Sequence, residues 1–246
     1  MGLLNRNPSD LLYIIPAIIM ALTVHEFSHG FIAHLLGDKT AKADGRLTLN
    51  PLKHIDWFGA LAMLIVGFGW AKPVMINPMN LKNPKTDFAL IAAAGPISNF
   101  IWAFLLFGIM SLVAVNTFAP IEIIFIDGIP YRFEIDQIRS MPIDFMVFKD
   151  SIGTATAALL TFLMMGAWFS LALGMFNMIP FPPLDGSKIF GAILPEPIYW
   201  RFVSGGMFTM LILMVLLFTG TLGGFLIDFV TVLYSGMVSF WMNVLG

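Results

Sequence analysis

The 246-residue chain is 58% hydrophobic and only 11% charged, with a mean hydropathy of +0.86, against the roughly 25% charged share of an ordinary soluble domain, so it reads as an integral membrane protein. A net charge of −2 with Lys and Arg scattered along the chain gives no basic field for nucleic acid. The absence of cysteine excludes thiol catalysis and restricts any metal site to His, Asp, Glu or backbone ligands.

Four long apolar stretches, the last divided at "TGTLGG", predict five spans at about 11–36, 88–118, 152–179, 200–218 and 222–244. The expected fold class is an all-α polytopic membrane protein, a single domain over residues 1–246, with one re-entrant element. No small-residue cleavage site precedes the first His, so the first apolar stretch is expected to be retained as a span. Within it lies "HEFSH". On a helix, His25 and His29 are one turn apart on the same face and form a zinc clamp, with Glu26 beside it to take a proton from water activated at the metal. The alternative is a buried polar cluster bonding neighbouring helices, but ionisable residues at membrane depth default to function.

Residues 37–87 carry Lys39, Lys42, Arg46, Lys53, Lys72, Lys82 and Lys85, which places this segment on the cytoplasmic side. Inside it, 57–77 is too apolar for a solvated loop and too short to span. A re-entrant hairpin-like loop fits, with 70–76 as a short strand and a polar or wet cavity nearby to satisfy its backbone; an interfacial anchor is the other reading. His54 is either a surface or structural histidine or one that approaches the site. Next, "AAAGPISNF" supplies Gly95 and Pro96, which permit close helix approach, and Asn99, which bonds either the loop or a substrate backbone.

The 119–151 loop is acidic, with Glu122, Asp127, Glu134, Asp136, Asp144 and Asp150, and is expected outside. After the third span, "FNMIPFPPLDG" sets three prolines ahead of Asp185, so the chain runs extended there. A catalytic zinc needs a third protein ligand and an open position. Spans one and three run in the same direction if the 57–77 loop does not cross. Asp185 then emerges beside His25 and His29 and is the better candidate; His34 is turned to about the opposite side of the helix.

These residues resemble the site-2 protease family, zinc metalloproteases that cut within membranes, peptidase family M50. The likeness rests on "HEFSHG", "GRLTLNPLKHID", "FGWAKPV", "AAAGPISNF" and "NMIPFPPLDG" in the family's order, and it covers nearly the whole chain. It implies one Zn2+ held by His25, His29 and Asp185, Glu26 as general base, and Asn177 close to the reacting carbonyl. It also implies a short form with neither PDZ nor CBS domain within these residues. Asn177 either donates to a developing oxyanion or caps its own helix.

The expected partners are the lipid bilayer and a transmembrane protein or peptide substrate. An extended substrate adds to the backbone edge at Gly69, Trp70, Ala71, Lys72 and Pro73, where main-chain pairing gives affinity with little sequence demand. The active site is expected toward the cytoplasm. A metal transporter would also hold His and Asp at depth, but it needs a continuous polar path that the outer halves of these spans do not supply. A catalytically inactive membrane chaperone is disfavoured by the presence of Glu26.

Overall fold

A computed structural model of the protein describes residues 8–66, 69–118, 123–126, 129–132, 137–140, 144–203 and 206–245. Helices dominate: α1 (Pro8–Leu35), α2 (Thr40–Ala43), α3 (Trp57–Val66), α4 (Pro84–Phe118), α5 (Gln137–Ser140), α6 (Lys149–Ile152), α7 (Thr154–Asn177), α8 (Asp185–Gly191), α9 (Glu196–Val203), α10 (Gly206–Phe218) and α11 (Thr221–Leu245). Four of them, α1, α4, α7 and α11, are long and apolar enough to cross a membrane. The expected span at 200–218 covers the end of α9 and all of α10, which are separated by residues 204–205, outside the described residues.

With lipid on one side and protein on the other, these helices are apolar all round and pack through small residues. α4 is the hub, in contact with α1, α7, α8 and α11. A methyl group built on Gly166 would lie 2.7 Å from Met20, and one on Gly108 2.7 Å from the Trp241 ring, so both helix approaches depend on the missing side chain. The core between α4, α7 and α11 is filled by Phe107, Met110, Leu160, Met164 and Tyr234, all fully buried. Tyr234 meets Phe107 edge to face at 5.2 Å, and its hydroxyl donates to the Ile138 carbonyl.

The segment after α1 enters and returns. α3 has 10 residues, about 15 Å of helix, which is half a bilayer. The chain then comes back beside its own entry point, where Ile55 bridges Ala71 and the Lys72 N–H donates to the His54 carbonyl at 2.9 Å. Gly59 and Gly69 face one another across this hairpin; a methyl on either would collide with backbone of the other strand of the turn. Residues 67–68 at its tip lie outside the described residues. The expected short strand is present as one isolated bridge and extended chain rather than a ladder.

Beyond α4 the chain forms a two-stranded antiparallel hairpin, β1 (Ile123–Ile126) and β2 (Ile129–Arg132), where the sequence suggested only a loop. Glu122, Asp127, Glu134 and Asp136, on which the acidic character of that loop rests in part, lie outside the described residues.

Candidate metal centre

The i, i+4 spacing of His25 and His29 places both rings on one face of α1, with centroids 4.6 Å apart and nearly perpendicular. α7 runs parallel to α1, and the turn after it brings in Asp185, the first residue of α8. Oδ2 of Asp185 lies 3.0 Å from Nε2 of both histidines. All three residues are buried.

The tautomer of His29 is fixed by its other nitrogen. Nδ1 faces the Ile91 carbonyl at 2.7 Å, so it carries the proton and donates. In neutral His29, Nε2 therefore presents a lone pair directly at a carboxylate oxygen, two acceptors face to face without a proton between them. A cation at the convergence of Nε2, Nε2 and Oδ2 resolves that repulsion. The 3.0 Å separations are close to the edge of about 3.3 Å in a tetrahedron with bonds of about 2.0 Å, and an imidazole bonded to a backbone carbonyl is a usual support for zinc. The residues present fit the metal, and they are the group of metal-ligating side chains found among the described residues.

The floor of the centre is backbone. A methyl group on Gly95 of α4 would lie 2.5 Å from His29 Nε2 and 2.6 Å from His25 Nε2, so α4 reaches the two imidazoles only because this residue has no side chain.

The profile of Peptidase family M50 matches residues 13–217, a range that includes every residue of this centre. The chain belongs to peptidase family M50. It is 32% identical over 207 residues to "Putative zinc metalloprotease YwhC" of Bacillus subtilis (strain 168), covering 84% of this chain and 80% of that protein. It is also 32% identical over 104 residues to "Putative zinc metalloprotease Rip2" of Mycolicibacterium smegmatis (strain ATCC 700084 / mc(2)155), covering 39% of each. No solved structure matches the chain. With its membrane-length helices, this M50 peptidase is an intramembrane zinc metalloprotease.

The centre opens into a cavity of about 180 Å³ lined by Glu26, Pro73, Val74, Asn177 and Lys188 among others. Glu26 accepts the Val74 N–H on Oε2 at 2.9 Å, so the returning segment touches this glutamate through its backbone. Asn177 closes α7 and donates its amide to the Leu173 carbonyl at 3.0 Å while lining the cavity.

A second cavity of about 440 Å³, almost wholly apolar, lies between α1, α3 and α7. Gly69, Trp70, Ala71 and His54 line this one rather than the metal cavity. His54 is buried, with Nε2 donating to the Thr48 carbonyl at 2.8 Å. Asn99 is fully buried where α4 meets Gly174 of α7, outside both cavity linings, and its amide has no protein partner among the described residues. Lys72 lines neither cavity; its carbonyl is met by Arg46 at 3.5 Å.

Asp38 carries no metal-ligand signal in the sequence, yet it organises the approach to the centre. Gly37, at φ +110, ends α1 and turns the chain so that Asp38 tucks under it, fully buried. Its carboxylate accepts from the N–H of Asn77 at 2.7 Å, from the Asn80 amide at 2.8 Å, and from the N–H and hydroxyl of Thr40. Burial alone would raise its pKa; the hydrogen bonds from Asn80, Thr40 and Asn77 outweigh burial and hold it below the ordinary carboxylate value.

Proposed function

We propose that this M50 peptidase hydrolyses a peptide bond of a membrane-spanning protein or peptide at the cytoplasmic edge of the bilayer. In this reading His25, His29 and Asp185 are the metal ligands, Glu26 is the general base, and residues 1–246 act as one catalytic domain. The observation that carries it is the convergence of two imidazole nitrogens and one carboxylate oxygen, with the far nitrogen of His29 on a backbone carbonyl, beside a glutamate that accepts the Val74 N–H on Oε2.

Zinc bound there supplies a Lewis acid that polarises the scissile carbonyl and makes water a nucleophile near neutral pH. The chain's own residues do the rest. The Val74 N–H occupies Oε2 of Glu26 and orients the carboxylate, leaving Oε1 to take the proton of the attacking water and return it to the leaving amine. The Asn177 amide has one N–H committed to Leu173 and a second available to an oxyanion in the cavity.

A helical substrate hides its peptide bonds in its own ladder and has to unwind before cleavage. The extended segment 69–76 supports pairing with such an unwound strand, because Gly69, Trp70 and Ala71 line the apolar cavity while Pro73, Val74 and Ile76 line the metal cavity. Apolar side chains of the substrate fill the larger cavity as its backbone reaches the centre. The cytoplasmic assignment rests on the basic residues between α1 and α4, which lie at the same end of the helices as the metal ligands. Purified protein in lipid vesicles, given a labelled transmembrane peptide, should cleave it within or at the edge of its apolar stretch, and the Glu26→Gln variant should not. Equal cleavage by the variant would contradict the assignment of Glu26.

A further inference from the structure

Asp185 is held at both oxygens, and by different groups. Oδ2 faces His25 and His29, while Oδ1 accepts from Nζ of Lys188 at 2.9 Å. Lys188 sits one turn along α8, so the two side chains share a face of the helix. The start of that helix is itself fixed. Gly186 packs so tightly against the Met178 and Ile179 carbonyls that no side chain fits, and the Ser187 hydroxyl donates to Leu184 at 2.7 Å.

The ammonium is held from a second element as well, since it lies 5.7 Å from the centre of the Phe88 ring on α4. An i, i+3 pair on an exposed helix contributes little. This one differs because the Asp185 side chain is only 8% exposed. Lys188 is also the one Lys or Arg among the residues lining the metal cavity.

A carboxylate ligand can bind through one oxygen or through both, and the second mode uses up the position a catalytic metal has to keep open. We propose that Lys188 is a positioning residue of the metal centre. Its ammonium occupies Oδ1 of Asp185, so that the carboxylate offers Oδ2 alone and a coordination position stays open for the reacting groups. This rests on the reading of Asp185 as a ligand.

The test is binding of Co2+ and Zn2+ by the purified full chain. Replacement of Lys188 by methionine frees Oδ1, and the visible absorption of the bound cobalt should fall as its coordination number rises. The zinc Kd should change by about 10- to 100-fold, the usual size of effect when a group that supports a ligand is lost. Lys188→Arg keeps a charged donor and should keep the cobalt spectrum. Lys188→Gln keeps a donor without the charge and should fall between; it carries the same comparison if the methionine variant does not fold. In an Asp185→Asn background, Lys188→Met should change the zinc Kd no further.

An unchanged cobalt spectrum and zinc Kd in Lys188→Met would overturn the proposal, as would an equal additional change in the Asp185→Asn background. Should Asp185→Asn itself leave the cobalt spectrum as in the wild type, Asp185 is not a ligand and the role of Lys188 falls with it. If Asp185→Asn alters the spectrum and Lys188→Met does not, only the Lys188 role fails.

Discussion

The backbone N–H of Val74 donates to Oε2 of Glu26 at 2.9 Å, which ties the returning segment 69–77 to the glutamate that lies between His25 and His29 in sequence. A backbone donor cannot be removed by changing the Val74 side chain. Glu26 is therefore oriented by the position of the whole 69–77 segment, which is pinned at its start by His54 and at its end by Asp38.

Changing Glu26 to Gln leaves both histidines and Asp185 in place while removing the proton acceptor. Metal content should be retained, and the cleavage rate should fall by about 100- to 10,000-fold, the usual contribution of a general base. Single-turnover cleavage of a transmembrane peptide measures it.

Gly95→Ala should abolish metal binding without preventing membrane insertion, because the new methyl would lie 2.5 Å from His29 Nε2 and 2.6 Å from His25 Nε2. Gly236→Ala is the matched control. Nothing lies within 4 Å of a methyl there, so the variant should bind metal normally. Metal analysis of the two purified variants side by side decides the point.

The HExxH clamp was legible because helical spacing alone puts His25 and His29 on one face, and Asp185 followed from the parity of the spans. The re-entrant loop was legible from a run too apolar for a loop and too short to cross. What stayed hidden was the support. The Val74 N–H, the Ile91 carbonyl and the close approach at Gly95 are backbone features with no side-chain signature. Lys188 carried a signal in "DGSK", a helix start with a cation three residues after Asp185. The three prolines suggested an extended run ahead of Asp185; the structure instead has turns there, with the Leu184 N–H on the Phe181 carbonyl at 2.9 Å, and then the short helix that Asp185 begins.

Asp38 gives a prediction about pH. Its pKa is depressed in the folded protein, so its contribution to stability is present above the ordinary carboxylate value of about 3.9 and is lost as pH falls through the lower folded value. Asp38→Ala should cost about 1.5–3 kcal/mol, the range for hydrogen bonds to a charged group. The Tm difference from wild type should be constant between about pH 5 and 7 and shrink below about pH 4. Thermal melts in detergent across that range check it.

The assembled centre requires that 57–77 does not cross the membrane. The native chain has no cysteine, so single cysteines report cleanly. Placed at Lys42, Lys82 and Glu196, all exposed, they should react with an impermeant thiol reagent from the cytoplasmic face only; one at the exposed Asp150 should react only from the other face. Labelling of positions 42 and 82 from opposite faces would mean that the loop spans, and the metal centre could not form.

Zinc stoichiometry of the purified protein tests the centre most directly. The wild type should hold one zinc per chain, and His25→Ala, His29→Ala and Asp185→Ala should each lose it while Glu26→Gln keeps it. Full zinc occupancy in Asp185→Ala, or loss of zinc in Glu26→Gln with Asp185→Ala unaffected, would contradict the account.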